Sequence, residues 1–248
     1  MNKIIVLISI LLNGILYSYT FSPPTVTLSP SGINSSFIYT LKNESENVVP
    51  IDISVNEFSK DIDGNHIQGE VVYDDFIIYP AQFILDAGEK RSVQIRWAGE
   101  PSFDIEKSYT VLCKEVLLPE NERKNNNKVA IVKVKKNYEG RLYIESENSA
   151  PKIALKEINS PVNSDGEQEL EIIVENSGNK HGDLSSYCFE ISYVSDDDPE
   201  KGSKKITLTS KDIPKMISSI LAKSTRRYKI LWPEEIPFGN ISVELKER

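Results

Sequence analysis

Few residues in this chain could carry catalytic or metal chemistry. Its 248 residues include two histidines, His66 and His181, and two cysteines, Cys113 and Cys188. A closed zinc site needs four ligands of Cys, His or carboxylate type, and nothing here is spaced as CxxC or HxxxH, so no metal centre is expected. Asp196, Asp197 and Asp198, followed by Glu200, lack the alternating ligands and the bidentate Glu at position twelve of a calcium loop. They read as a hairpin tip. No Gly-x-Ser-x-Gly elbow, phosphate loop or zinc signature occurs, and two isolated histidines do not argue for a Ser/His/Asp site. The expectation is a protein that is not an enzyme and needs no cofactor. With 29 Lys and Arg against 37 Asp and Glu, the net charge of −8 also argues against nucleic acid as a partner, because neutralising phosphates needs clustered excess cations. What remains available is the backbone itself and apolar side chains.

The N-terminus sets the compartment. Lys3 precedes the apolar run Ile4 to Leu12, which Gly14-Ile15-Leu16 extends and Ser18 closes. That is the layout of a secretory leader, shorter and more interrupted than the roughly 20 apolar residues of a spanning helix. Residues 1–20 are read as the leader, with cleavage near Ser18 to Thr20, and the mature chain is expected to be exported and soluble. Cys113 and Cys188 fall in strands of different halves and are expected to stay free and buried, as small hydrophobes.

From residue 25 onward apolar residues recur with period two, the mark of strands with one buried face. Phe37, Tyr39 and Leu41 alternate, as do Ile51, Ile53 and Val55, then Phe83 and Leu85, then Val93, Ile95 and Trp97. Tyr109, Val111 and Cys113 share one face of their run, and Thr110 and Leu112 the other. After a polar stretch at Glu145 to Pro151 a second series begins with Leu170, Ile172 and Val174. It continues through Phe189 and Ile191, Ile206 and Leu208, Tyr228 and Ile230, and Ile241, Val243 and Leu245. The segment Asp212 to Leu221 is open between loop and short helix. This pattern predicts an all-β chain of two sandwiches, at 21–147 and 148–248. Trp97 and Trp232 are expected in cores or at the domain junction, His66 in solvent, and His181 capping backbone in its turn. Asn34, Asn43 and Asn240 fit the glycan acceptor rule, which matters only in a eukaryotic secretory route.

Several stretches then resemble one family, the PapD-like periplasmic chaperones of pilus assembly. Ile78-Tyr79-Pro80-Ala81-Gln82-Phe83-Ile84-Leu85-Asp86-Ala87-Gly88-Glu89-Lys90-Arg91-Ser92-Val93-Gln94-Ile95-Arg96-Trp97 is similar to the family's Pro-containing strand, Pro-Gly-like turn and Val/Arg strand. Glu106-Lys107-Ser108-Tyr109-Thr110 resembles its Glu-x-x-Tyr-Arg pattern, with Thr110 where Arg is usual. Asn176-Ser177-Gly178-Asn179-Lys180-His181 resembles the Asn-x-Gly-Asn-x-His turn of less studied branches. Ile220-Leu221-Ala222-Lys223-Ser224 takes the place of their Leu-Pro-Gly-Ser turn. The resemblance implies two immunoglobulin-like β-sandwich domains in a boomerang-like arrangement, periplasmic localisation, and pilus or fimbrial subunits and an outer-membrane usher as partners. Self-association through an exposed edge is a further expectation.

In that family's scheme the chaperone lends a strand to a subunit that lacks one, giving main-chain hydrogen bonds along an edge and apolar side chains into a groove. Val129 to Val134, after the polar run 119–128, fits such a donor. Two registers are open, one presenting Ala130, Val132 and Val134, the other Val129 and Ile131; the first has more successive apolar residues and is preferred. A two-sided core strand is the plainer alternative. The family also anchors the subunit's terminal carboxylate with a first-strand Arg and a last-strand cation. No Arg or Lys lies between Phe21 and Ile33, so the first-strand half, expected near Thr27, is absent. Arg141 sits about where the second cation belongs, with Lys135 and Lys136 as alternatives. The competing function is an exported two-domain adhesion or structural protein whose strands serve only its own cores.

Overall fold

The computed structural model describes residues 19–116, 135–193 and 204–248. Because β-branched and aromatic side chains pack on one face of a pleated strand while the other face meets water, the alternating runs form strands throughout. In the first domain these are β1 (Tyr19–Ser22), β2 (Thr25–Leu28), β3 (Ser36–Asn43), β4 (Val49–Lys60), β5 (His66–Val71), β6 (Phe76–Tyr79), β7 (Gln82–Leu85), β8 (Lys90–Trp97), β9 (Lys107–Glu115) and β10 (Asn137–Ile144). One sheet is ordered β1-β3-β8-β6 and the other β2-β10-β9-β4-β5, with β7 also on β4. Tyr39, Leu41, Val93, Ile95, Val111 and Leu142 close the space between them, all at 0% exposure. Each such side chain contributes about 1.5–3 kcal/mol by leaving water. β1 begins at Tyr19, so two residues read from sequence as the end of the leader pair with Asn43 and Lys42 instead. Tyr19 belongs to the core, and its hydroxyl donates to the Cys113 carbonyl at 2.7 Å.

The second domain comprises β11 (Ile153–Asn159), β12 (Glu169–Asn176), β13 (Tyr187–Tyr193), β14 (Lys205–Leu208), β15 (Ser224–Leu231) and β16 (Ile241–Glu247). Its sheets are ordered β11-β12-β15 and β14-β13-β16, around Leu170, Ile172, Val174, Phe189, Ile191 and Tyr228. The chain is therefore all-β, two immunoglobulin-like sandwiches in series. Within 212–221 the only helical turn is a short 3-10 segment, Pro214–Ile217. Trp97 and Trp232 pack with the first and second cores, each donating its ring N–H to a nearby carbonyl, of Glu100 and Ile236. Cys113 and Cys188 are free and buried.

One device occurs in both domains. Asn43, ending β3, is fully buried; its amide donates to the carbonyls of Asn47, Leu85 and Asp86, and its oxygen accepts from the Ser45 backbone N–H. Asn176, ending β12, donates to Lys180, Ile220 and Leu221 and accepts from Lys152 and Gly178. Each asparagine ties the loop after its own strand to the turn before the next strand of its sheet, β8 or β15. Those turns share a left-handed residue at matching places, Gly88 at φ 71° and Lys223 at φ 55°. Burial also removes Asn43 from any role as a glycan acceptor.

Candidate functional site

The site is organised by β10. On one side β10 runs antiparallel to β9 over its full length, Asn137↔Lys114 to Ile144↔Lys107. On the other side the parallel strand β2 covers only Arg141 to Ile144. Asn137 to Gly140 therefore have no strand on their outer edge among the described residues. The preferred donor residues Ala130, Val132 and Val134, and the alternatives Val129 and Ile131, lie outside the described residues, as do Asp196 to Glu200. Thr27, where the sequence lacks the family's first cation, is exposed on β2 opposite Tyr143.

Alternation along β10 sends Leu142 and Ile144 into the core and puts Arg141 and Tyr143 on the other face, where Tyr143 meets His181 and Ser219 of the second domain. Arg141 donates to Thr110 Oγ1 at 3.1 Å, lies 3.6 Å from Glu139 and sits 4.2 Å from the centre of the Phe58 ring. Lys135 and Lys136 precede β10, and in extended chain Lys135 is about 20 Å from Arg141. The structure does not bring them together. The Lys136 carbonyl accepts from Tyr19.

Two cations that sequence reasoning passed over join Arg141 instead. Lys60, at the end of β4, lies 5.7 Å from the same Phe58 ring. Its ammonium donates to Ser218 Oγ at 2.9 Å and to the Ser219 carbonyl and hydroxyl at 2.8 and 2.9 Å. Burial, then the charges of Arg226 and Arg141, lower the Lys60 ammonium to about 8. Arg226 on β15 is 2% exposed and donates to the Ser219 carbonyl at 3.0 Å. Its guanidinium packs so closely on Gly64, held at φ 81°, that a Cβ there would fall 0.8 Å from Nη1. Among the described residues neither Lys60 nor Arg226 is paired with a carboxylate. The signal that could have found them is weak: Arg226 lies in an alternating strand, and Lys60 merely ends one.

These contacts also dock the domains. Arg227 grips Asp63 with two hydrogen bonds, 2.7 and 2.8 Å, and its backbone N–H donates to the Ile62 carbonyl at 2.7 Å. The paired guanidinium holds the Asp63 carboxyl below its usual range. At the other end of the junction Glu106, its side chain 0% exposed, accepts from the His181 backbone N–H at 3.1 Å and meets His181 Nδ1 at 2.7 and 2.9 Å. The His181 ring stacks on Tyr143, 3.8 Å between centroids. His181 is thus an inter-domain residue rather than a local cap. His66 is likewise not simply solvated: it lies 3.2 Å from Glu139 and edge-on to Phe58, and burial, followed by the Arg141 charge, lowers its proton affinity. No group of three or more His, Cys, Asp or Glu among the described residues is placed to hold a metal, and no helix among them is long and apolar enough to cross a membrane.

No family model matches this sequence, and no curated protein matches it. Solved structures do match the fold. The class 5 fimbriae chaperone CfaA aligns at TM-score 0.52 and 15% identity, over 93% of this chain and 100% of that one. The CsuC–CsuE chaperone–tip adhesion subunit complex, from archaic chaperone-usher Csu pili of Acinetobacter baumannii, aligns at TM-score 0.54 and 17% identity over 93% and 97%. The chain has the PapD-like chaperone fold. The E. coli chaperone DraB, at TM-score 0.52 and 15% identity over 94% and 96%, has it too. Within this fold the long stretch that resembled the family forms part of β6, then β7, the Asp86–Glu89 turn and β8. The Glu106 and His181 motifs face one another across the domain junction.

Proposed function

We propose that this protein is a periplasmic chaperone that caps pilus or fimbrial subunits by lending them a strand and delivers them to an outer-membrane usher. The observation that carries the reading is the outer edge of β10 at Asn137 to Gly140, which no strand among the described residues covers, directly downstream of the apolar run Val129 to Val134. A strand entering β10 along that edge presents Ala130, Val132 and Val134 to a subunit groove and its main chain to the subunit's unpaired edge. The two-domain chaperone fold supports the same reading, and export by the N-terminal leader supplies the compartment. In this reading the leader is removed before Tyr19, which the core of the first domain uses.

The test is co-expression with a small β-rich fimbrial subunit from the same genome. The expected result is a soluble periplasmic complex whose chaperone begins no later than Tyr19 and which is lost when Val132 and Val134 are both replaced by Asp. A subunit that stays soluble and bound with the double variant overturns strand donation. A chain found on the cell surface without a partner establishes the adhesion protein instead.

In this reading Arg141 holds the subunit's terminal carboxylate by charge-assisted hydrogen bonds, Lys60 joins it by exchanging one of its serine hydroxyl contacts for the carboxylate, and buried Arg226 adds to the field without touching it. Lys60 thereby takes the part of the missing first-strand cation. An anion binds the protonated ammonium, so subunit affinity should fall as pH rises from 7 through 9, past the lowered Lys60 value of about 8. Lys60→Gln should bind more weakly at pH 7 and lose that slope, as titration of the purified complex would show. An unchanged slope in Lys60→Gln removes Lys60 from the anchor.

A further inference from the structure

The two ends of the domain junction meet in one short loop. Ser218 and Ser219 follow the 3-10 turn Pro214–Ile217 and precede Ile220, whose N–H and carbonyl exchange hydrogen bonds with Gly182, the residue after His181. On the other flank Met216 is buried in the second core, and its carbonyl accepts from the Leu184 N–H at 2.9 Å. The loop is thus fixed on both sides and presents its two hydroxyls to the first domain at set places. There the Tyr143 hydroxyl lies 3.3 Å from Ser219 Oγ, while the Tyr143 ring carries the stack on His181. Lys60 meets the same loop through Ser218 Oγ and through both oxygens of Ser219. An ammonium has three N–H groups and accepts nothing, so these contacts fill it. A carboxylate arriving at Lys60 finds no N–H until one of them is given up.

We infer that Ser218 is a competitor built into the anchor: its hydroxyl occupies the N–H of Lys60 that a subunit's terminal carboxylate needs, and so sets the affinity for the subunit. The inference rests on the reading of Lys60 as a carboxylate anchor. Ser219 holds Lys60 by two atoms of one residue, its carbonyl at 2.8 Å and its hydroxyl at 2.9 Å, whereas Ser218 holds it by one. Giving up Ser218 leaves the two-point hold intact. The released Ser218 hydroxyl is half-buried and keeps Arg226 Nη2, at 3.4 Å, as a donor. Arg141 takes its own partners, Thr110 and Glu139, from the first domain, so its share of the anchor does not touch the junction. Lys60 alone ties subunit capture to domain docking, and the two oppose each other. Linkage makes the opposition reciprocal: a weaker Lys60–Ser218 contact favours the subunit by the factor with which the subunit weakens that contact.

Wild type and a variant, produced in equal amounts with a limiting quantity of the fimbrial subunit, compete for it, and native mass spectrometry of the equilibrated complexes reads the ratio of affinities. Ser218→Ala removes one hydroxyl and keeps the Ser218 N–H bond to the Lys215 carbonyl, so the loop stays folded. It should take the subunit roughly fivefold better than wild type, the factor of one hydrogen bond. Ser218→Thr keeps the hydroxyl and should share the subunit evenly with wild type. In a Lys60→Met background, which has no N–H to contest, Ser218→Ala should gain nothing. Hydrogen exchange at the Ser218 and Ile220 amides should quicken when wild type binds the subunit, and change least in Ser218→Ala. Equal or weaker capture by Ser218→Ala overturns the inference. So does a gain that persists with Lys60→Met, or a loop whose amides exchange no faster in the complex. Lys60→Met by itself separates the two readings: if it loses the subunit while Ser218→Ala gains nothing, the anchor stands and Ser218 falls. If Lys60→Met takes the subunit as well as wild type does, the anchor fails and the inference with it.

Discussion

Replacing Asn176 with Ala should lower the stability of the second domain by about 3–5 kcal/mol, among the largest effects of any single change in this protein. The side chain is fully buried and makes five hydrogen bonds, donating to the carbonyls of Lys180, Ile220 and Leu221 and accepting from the backbone N–H groups of Lys152 and Gly178. Alanine leaves all five backbone groups without this partner, in a place where water does not enter freely. Removing one partner of a buried hydrogen bond costs about 1–3 kcal/mol, so even partial relaxation leaves a large deficit. Asp is the sharper comparison. It has nearly the shape of Asn and keeps an acceptor for Lys152 and Gly178, but it puts a second acceptor against three carbonyls. Asn176→Asp should therefore be no better than Ala. The readout is urea denaturation followed by tryptophan fluorescence. The chain has two tryptophans, and Trp97 packs in the first core while Trp232 packs against the second. A Trp97→Phe background isolates the second domain. If Asn176→Ala shifts the Trp232 transition by less than about 1 kcal/mol, the asparagine is not a structural tie.

The same comparison shows what could be read from sequence. Strands with clean alternation and one buried face, such as β3 and β8, were legible because apolar residues at every second place admit little else. β1 and β2 were not, being four residues each on either side of Pro23 and Pro24. β5 was not, because its residues His66-Ile67-Gln68-Gly69-Glu70-Val71 have no regular burial pattern. β11 shifts register between Leu155 and Glu157, so its apolar period breaks mid-strand. The place of Arg141 on the last strand of the first domain was legible. Lys60 and Arg226 were not, because one domain supplies the first and the other supplies the second. Both histidines were misplaced for a similar reason. Each lies at a turn in sequence, while its carboxylate partner, Glu139 or Glu106, comes from a distant strand or loop.

The Glu106–His181 contact carries the second large expectation. Glu106→Ala should destabilise the docked pair of domains by about 1.5–3 kcal/mol, because it removes the buried carboxylate that accepts hydrogen bonds from His181. The His181 backbone N–H and ring nitrogen both lose their acceptor, and the stack of His181 on Tyr143 loses the group that orients it. The neighbouring tie through Asn179, which accepts from the Glu106 N–H at 2.9 Å and donates to the Asp104 carbonyl at 2.9 Å, uses backbone and survives the change. Docking should therefore loosen rather than vanish. Glu106→Gln separates geometry from charge: its amide oxygen can still accept from the His181 N–H, but its NH₂ cannot accept from the ring. It should recover about half of the loss. A protease cutting the linker at 145–151 reads the outcome directly, since Glu145 is held by Lys180 of the second domain only while the domains stay docked. Glu106→Ala should be cut faster than wild type, with Gln between them. Equal rates for all three would mean that the Asp63–Arg227 pair and the Lys60 contacts alone hold the domains together, and that the buried glutamate serves only its own loop.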